Sequence, residues 1–286
     1  MEGQNPNQTR LRLRAPTTAT LAISFSWSRH YARRQMDVFL DLWGVLLDEN
    51  KMNMEYNERA SSILASRFGG DPAKWLVAYN RAWESYRRRF EATDWDRTSW
   101  SDVAGELDVR LISETLDDIG VESRPLDILR FSRSLEFEVV SSVARCHPDA
   151  PGAVRRLREK DHRVHVATQA GEWNAIGALE ASGLLGEVHG IFSGSSQNTS
   201  KNTGRYWTKV LERTGSPSGD CILVDDRLDY LEAAASVGIA AILMDREEKT
   251  ARSDLPRFVQ ERMSSLALLP PYVESISRRS ESRTAD

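Results

Sequence analysis

The segment Phe39-Leu40-Asp41-Leu42-Trp43-Gly44-Val45-Leu46-Leu47-Asp48 decides how the rest of the chain is read. An apolar run, Asp37-Val38-Phe39-Leu40, ends in an acid at Asp41. Such a run is too short for a helix and reads as a buried strand. Four similar runs follow: Arg163-Val164-His165-Val166-Ala167, Gly190-Ile191-Phe192, Cys221-Ile222-Leu223-Val224 and Ala240-Ala241-Ile242-Leu243-Met244. Helix-period segments lie between the later runs, over Ala153 to Lys160, Trp173 to Leu184, Arg205 to Thr214 and Asp229 to Val237. This alternation predicts an α/β fold, a Rossmann-like parallel sheet with right-handed crossovers and helices on both faces. Ligands of such sheets lie beyond the carboxyl ends of the strands, near a switch in strand order.

The alternation breaks once. Between the first strand and Pro151 the chain reads as helix: Met54 to Phe68, a second helix opened by Asp71-Pro72, then Trp100 to Ile119 and Leu126 to Val143. Asp71 has the look of an N-cap with proline at the first helical position. Trp75, Tyr79, Trp83, Tyr86 and Phe90 share one face of the second helix and read as the core of a separate unit. A crossover of about ninety residues exceeds a simple helical link, so an inserted all-helical cap domain is expected. The expected organisation is a core over 37–50 and 143–274 with a cap over 51–142.

The ends stand apart. Residues 1–36 hold one acid, Glu2, against Arg10, Arg12, Arg14, Arg29, Arg33 and Arg34. They read as a disordered leader or a start assigned too far upstream, with Met36 as the natural beginning; the alternative is an organelle transit peptide. Residues 275–286 are polar and read as a disordered tail. The net charge of −4 gives no reason to expect nucleic acid or an anionic membrane as partner. No apolar run reaches the length of a membrane span. Cys146 and Cys221 are too few for a disulfide framework and fit a reducing, cytoplasmic setting.

Several predicted strand ends carry chemistry. Asp41 follows the first run, Thr168 another, and Asp225 and Asp226 a third, while Lys201 lies in the loop after a fourth. In a parallel sheet these loops project from one edge. One acid at a strand end is ordinary helix capping; four polar strand ends together describe a site. Carboxylates at that density repel unless a cation sits among them, and oxygen ligands favour Mg2+. A carboxylate beside a metal and a lysine can attack a phosphoryl group whose charge those cations offset.

These segments resemble the haloacid dehalogenase-like hydrolase superfamily. FLDLWGVLLD is similar to its first motif, an apolar strand followed by D-x-D-G-T/V-L. PGAVRRLREKDHRVHVATQA, residues 151–170, resembles the approach to its second motif, and IFSGSSQNTSKNTGRYWTKVLERTG, residues 191–215, its third. CILVDDRLDYLEAAASVGIAAI, residues 221–242, resembles the fourth, and SSLALLPPYV, residues 264–273, the closing segment of many members. The resemblance implies a helical cap of the C1 type after the first motif. It implies Asp41 as nucleophile and metal ligand, and Thr168 and Lys201 as binders of the transferring group. It also implies that the Trp43 carbonyl and Asp225 or Asp226 complete the protein's share of a Mg2+ shell, with Asp229 orienting the acidic loop or capping its helix.

The sequence departs from that pattern at position 43, where phosphatases of the family carry an Asp that protonates the leaving group. Tryptophan has no such proton, and loss of a general acid/base typically costs about 10²–10⁴-fold. Three readings follow. The first is a Mg2+-dependent phosphatase-type hydrolase using a good leaving group or another acid. The second is a 2-haloacid dehalogenase, in which an aromatic residue at this position is usual and halide leaves without a proton. The third is a catalytically degenerate binding protein. The expected partner is a small phosphorylated or halogenated molecule; oligomeric state is not legible. Arg87, Arg88 and Arg89 read as a solvated helix face, and His165 as structural.

Overall fold

The computed structural model describes residues 34–122 and 127–283. The leader expected over residues 1–36 falls almost wholly outside the described residues. Six strands are present: β1 (Asp37–Leu40), β2 (Arg163–Thr168), β3 (Gly190–Ser193), β4 (Cys221–Asp225), β5 (Ala240–Met244) and β6 (Val259–Met263). They form one parallel sheet in the order β3-β2-β1-β4-β5-β6. Leu40 is in register with both Val166 and Val224, so Asp41 stands one step beyond the sheet between two neighbours. Connections run outward in opposite directions from β1, which puts the switch in strand order at the β1/β4 boundary.

Alternation along the strands builds a core on each face. Val38, Leu40, Val164, Val166, Ile222 and Val224 belong to one apolar cluster. Phe39, Ala167, Leu223, Ala241 and Trp207 belong to the other. The sheet is thus buried on both sides, which is why its strands read as continuous apolar runs. Truncating a fully buried Leu40 to Ala would cost about 2–5 kcal/mol. β6, Val-Gln-Glu-Arg-Met, buries only its two ends and has no such run, so its pattern is not legible as a strand.

Helices α1 (Glu49–Phe68), α2 (Pro72–Glu91), α3 (Trp100–Ile119) and α4 (Ile128–Val143) all lie between β1 and β2. Asp71 caps α2, accepting from the Ala73 amide at 2.9 Å, and Pro72 opens it. The four helices share a cap core around Leu64, Trp75, Tyr79, Ile112, Phe131 and Leu135. The two chain segments that lead into and out of this cap pair with each other. The Asp48 amide donates to the Arg145 carbonyl at 2.9 Å, and the His147 amide to the Leu46 carbonyl at 2.9 Å.

The remaining helices are α5 (Ala150–Arg158), α6 (Glu172–Ala181), α7 (Gly194–Gln197), α8 (Gly204–Thr214), α9 (Leu228–Ala235) and α10 (Leu269–Arg283). The last corrects one expectation, because residues 275–283 continue a helix instead of forming a loose tail. The reason is a short apolar stripe: Val273 and Ser277 are buried, and Ile276 packs on the main core. Among the described residues no helix is long and apolar enough to cross a membrane.

Candidate active site

The β1 strand delivers Asp41 to the sheet edge, and the Asp41 amide donates to the Val224 carbonyl at 3.0 Å. The turn behind it needs Gly44, whose φ of +78° disfavours any other residue. A Cβ there would lie 2.4 Å from Oδ2 of Asp226, so the glycine also lets that carboxylate approach the loop. Arg246 ties the loop down. Its guanidinium donates to the carbonyls of Gly44 at 3.2 Å and Val45 at 2.6 Å and pairs with Asp149 at 3.1 Å.

Lys201 is fully buried beneath the sheet edge and sits between two acids. Its Nζ is 2.6 Å from Oδ1 of Asp41, 2.5 Å from Oδ2 of Asp225 and 2.6 Å from the Ala167 carbonyl. The lysine is placed by its own backbone: its amide donates to Oε1 of Gln169 at 2.7 Å, and its carbonyl accepts from the Trp207 indole at 3.1 Å. Asp225 is buried as well, and its Oδ1 accepts from the Arg227 amide at 2.9 Å. Removing one member of so buried an ion group would leave an uncompensated charge worth about 3–5 kcal/mol.

Carboxylate oxygens of Asp41, Asp225 and Asp226 lie within 4.8 Å of one another. Burial pushes the Asp41 carboxyl up to about 6 against the pull of Lys201, and Asp226 adds repulsion. Asp225 rises to about 7, again through burial, with Lys201 opposing and Asp41 adding to it. Burial works against the Lys201 charge too, but the two acids outweigh it and hold its pKa above the usual value. Three carboxylates facing one ammonium leave negative charge over, so this donor set fits a hard divalent cation.

Four of the five residues singled out by the strand ends, Asp41, Lys201, Asp225 and Asp226, form one connected group through the contacts above, and Trp43, which the family resemblance added, borders the same cleft. Thr168, at the end of β2, lines the same cleft, its hydroxyl accepting from the Ala170 amide at 3.2 Å. The Trp43 indole also lines the cleft and stands edge-on to Tyr56 of α1. Asp229 makes no capping bond; it pairs with Arg227 at 2.9 Å in the first turn of α9. His165 is structural, stacked on Phe39 and bonded to Asp37 at 3.1 Å.

The cleft has a volume of about 730 Å3 and is lined on one side by residues of the cap. Here the aromatic face of α2 divides. Trp75 and Tyr79 fill the cap core as expected, but Trp83, Tyr86 and Phe90 line the cleft. Gln169 was not visible as a site residue from sequence, where it is only the neighbour of Thr168. Its Oε1 also accepts from the Ser200 hydroxyl at 3.1 Å, which fixes the amide's orientation. That leaves the buried Nε2 without a partner among the described residues, a donor free for an anion at the cleft floor.

A profile of the haloacid dehalogenase-like hydrolase family matches residues 38–238, and the chain belongs to that family. It is 27% identical over 149 residues to Phosphatase MT3486 of Mycobacterium tuberculosis, a match covering 48% of this chain and 69% of that protein. Its fold is similar to that of 2-haloacid dehalogenase from Pseudomonas syringae pv. Tomato, with a TM-score of 0.63 and 18% identity over 85% of this chain and 99% of the other. It is also similar to the HAD-hydrolase YfnB from Bacillus subtilis bound to magnesium, at a TM-score of 0.58 and 15% identity over 84% and 99% of the two chains. At these identities the structural likeness concerns the fold.

Proposed function

We propose that the protein is a Mg2+-dependent hydrolase of phosphate monoesters that works through a covalent intermediate on Asp41. The observation that carries this reading is the position of Lys201 Nζ between Asp41, at 2.6 Å, and Asp225, at 2.5 Å, with Asp226 completing the acidic group. Asp41, Asp225 and Asp226 would hold the cation, with the Trp43 carbonyl as a further ligand. When bound, Mg2+ supplies positive charge against the phosphoryl oxygens. Thr168 and the free Nε2 of Gln169 offer neutral donors to the same oxygens.

In the first step an Asp41 carboxylate oxygen forms a bond to phosphorus and the bond to the leaving oxygen breaks. In the second, water cleaves the acyl phosphate, releasing inorganic phosphate and restoring Asp41. Lys201 holds Asp41 in its attacking position and keeps part of its charge compensated. The Trp43 indole cannot protonate the leaving oxygen. That proton comes from another acid of the cleft, or the group departs as its alkoxide or phenolate and takes a proton from water. Glu49, in the first turn of α1, lines the cleft and is the carboxyl to examine as that acid. The relative named as a phosphatase and the magnesium-bound neighbour support this reading.

One feature favours a second reading. With Trp43 two residues past Asp41, attack on carbon with departure of halide needs no acid, as in the dehalogenase whose fold this chain shares. The Asp225-Asp226 pair argues against it, because that chemistry has no use for a cation. The deciding measurement is hydrolysis of an aryl phosphate with Mg2+ by the parent and by Asp41→Asn. Turnover lost in the variant supports the phosphatase; halide release from a 2-haloacid without metal, and no aryl phosphate turnover, replaces it with the dehalogenase.

A further inference from the structure

The wall of the cleft that faces Asp41 from the cap differs in chemistry from its floor. At the floor the unfilled polar atom is a donor, Nε2 of Gln169. Where the core helix α6 meets α4 of the cap, the unfilled atom is an acceptor. Asn174 of α6 is 4% exposed, and its Nδ2 donates to Oε1 of Glu136 at 2.9 Å. That bond fixes which end of the amide is oxygen. Its Oδ1 is buried and accepts from nothing among the described residues. A buried acceptor without a donor is costly, and a ligand N–H would satisfy it.

Glu136 lies beside it, and a second carboxyl, Asp108, lines the same cleft. Glu136 of α4 takes the Trp173 indole on its other oxygen at 2.6 Å. Asp108 of α3 lines the cleft with no hydrogen bond or ion pair among the described residues. Burial raises the Asp108 carboxyl to about 7, and the nearby Glu136 raises it further, while Arg133 opposes. Arg133 lies over the Trp173 ring at 4.4 Å, and Arg87 stands exposed at the rim. Neither makes a salt bridge to Asp108. Along the same cleft, α2 presents a stack of rings. Trp83 and Tyr86 are parallel with centroids 5.0 Å apart, and Tyr86 and Phe90 follow at 6.2 Å.

We infer that this cap wall is a subsite for a protonated amine carried on an apolar or planar body, so that the substrate is a phosphate ester of an amine-bearing alcohol or phenol. The ammonium group donates to Asn174 Oδ1 and to the Asp108 and Glu136 carboxylates, and the rings of α2 cover its carbon skeleton and attract its charge. A second phosphate or a carboxylate at this end meets two acids and is disfavoured. The substrate assignment rests on the phosphatase reading above; the subsite itself does not.

The test compares three phenyl phosphates that differ only in the para group: aminomethyl, hydroxymethyl and carboxymethyl. The expected order of kcat/KM is cation over neutral by about 10-fold or more, the size of one charge-assisted hydrogen bond, with the anion last. In Asp108→Asn and in Glu136→Gln the cation's advantage shrinks. Equal kcat/KM for the cationic and neutral esters in the parent overturns the inference, as does an advantage undiminished in both variants. If none of the esters is hydrolysed, the phosphatase reading fails and binding alone decides the subsite. The probe is then 2-phenylethylammonium against 2-phenylethanol, read as the shift in melting temperature. A rise confined to the ammonium and reduced in Asp108→Asn supports the subsite; equal shifts, or none, overturn it.

Discussion

The indole of Trp43 meets the ring of Tyr56 edge-on, with centroids 6.3 Å apart and planes at 69°. A residue at the place of the family's general acid is thereby turned into part of the seam between core and cap. The position is half-buried and borders the cleft, so a smaller polar side chain there can reach the substrate.

Trp43→Asp is therefore expected to raise kcat toward aryl phosphates, by up to about 10²-fold if proton transfer limits the parent. The gain should be larger for alkyl phosphates, whose leaving groups need the proton more. The same exchange removes the contact with Tyr56 and lowers stability by about 1–3 kcal/mol, visible as a drop in melting temperature.

Metal should stabilise the fold in a pH-dependent way. Asp41 and Asp225 have pKa values raised to about 6 and about 7, above the 3.8 of an unfolded carboxyl. Folding therefore favours their protonated forms at low pH, and that contribution is lost as pH rises through 6 to 7. A divalent cation reverses the loss because it binds the charged forms. The increase in melting temperature on adding Mg2+ should be small at pH 5 and large at pH 8. Asp226→Asn, which alters the exposed member of the three, should cut the pH 8 increment.

The opposite sign holds at the other end of the sheet. Asp37 is 2% exposed; burial alone would raise its pKa, but bonds from His165, Arg163 and Ser216 outweigh that and lower it to about 2. A depressed carboxyl contributes stability above the unfolded value near 4 and loses it as pH falls through 2. Asp37→Asn should cost about 2 kcal/mol at pH 7 in chemical denaturation, and the deficit should narrow between pH 4 and pH 2.

Gly194 governs how the cap sits on the core. A Cβ at this position would come 2.3 Å from the ring of Trp100, the first residue of α3, and 2.9 Å from the Gln169 carbonyl. Gly194→Ala should push that contact apart and destabilise it by about 1–3 kcal/mol. The expected kinetic result is a lower kcat/KM, because Gln169 and the cleft wall shift together. Limited proteolysis of the cap should quicken in parallel.

Much of the fold was legible because its signals are local. The buried strands are short apolar runs, the helices carry their periodicity and caps within their own residues, and Asp71-Pro72 marks a helix start by itself. β6 escaped because an edge strand with three polar central residues looks like a loop. The end of α10 escaped because its one packed stripe, Val273, Ile276 and Ser277, lies among charged residues.

By itself the sequence determined the parallel sheet and the helical insertion, and it pointed to Asp41, Thr168, Lys201, Asp225 and Asp226 as one candidate group, since each lies at or just beyond the end of a run its neighbours specify. Only the tertiary structure decided what faces that set. It split the aromatic stripe of α2 between cap core and cleft, tied Arg246 to Asp149 across 97 residues, and brought Asp108 and Asn174 to one cleft. Those placements depend on how the cap helices pack against the core. A lone aspartate on a helix has no periodicity that reports the partner it will face.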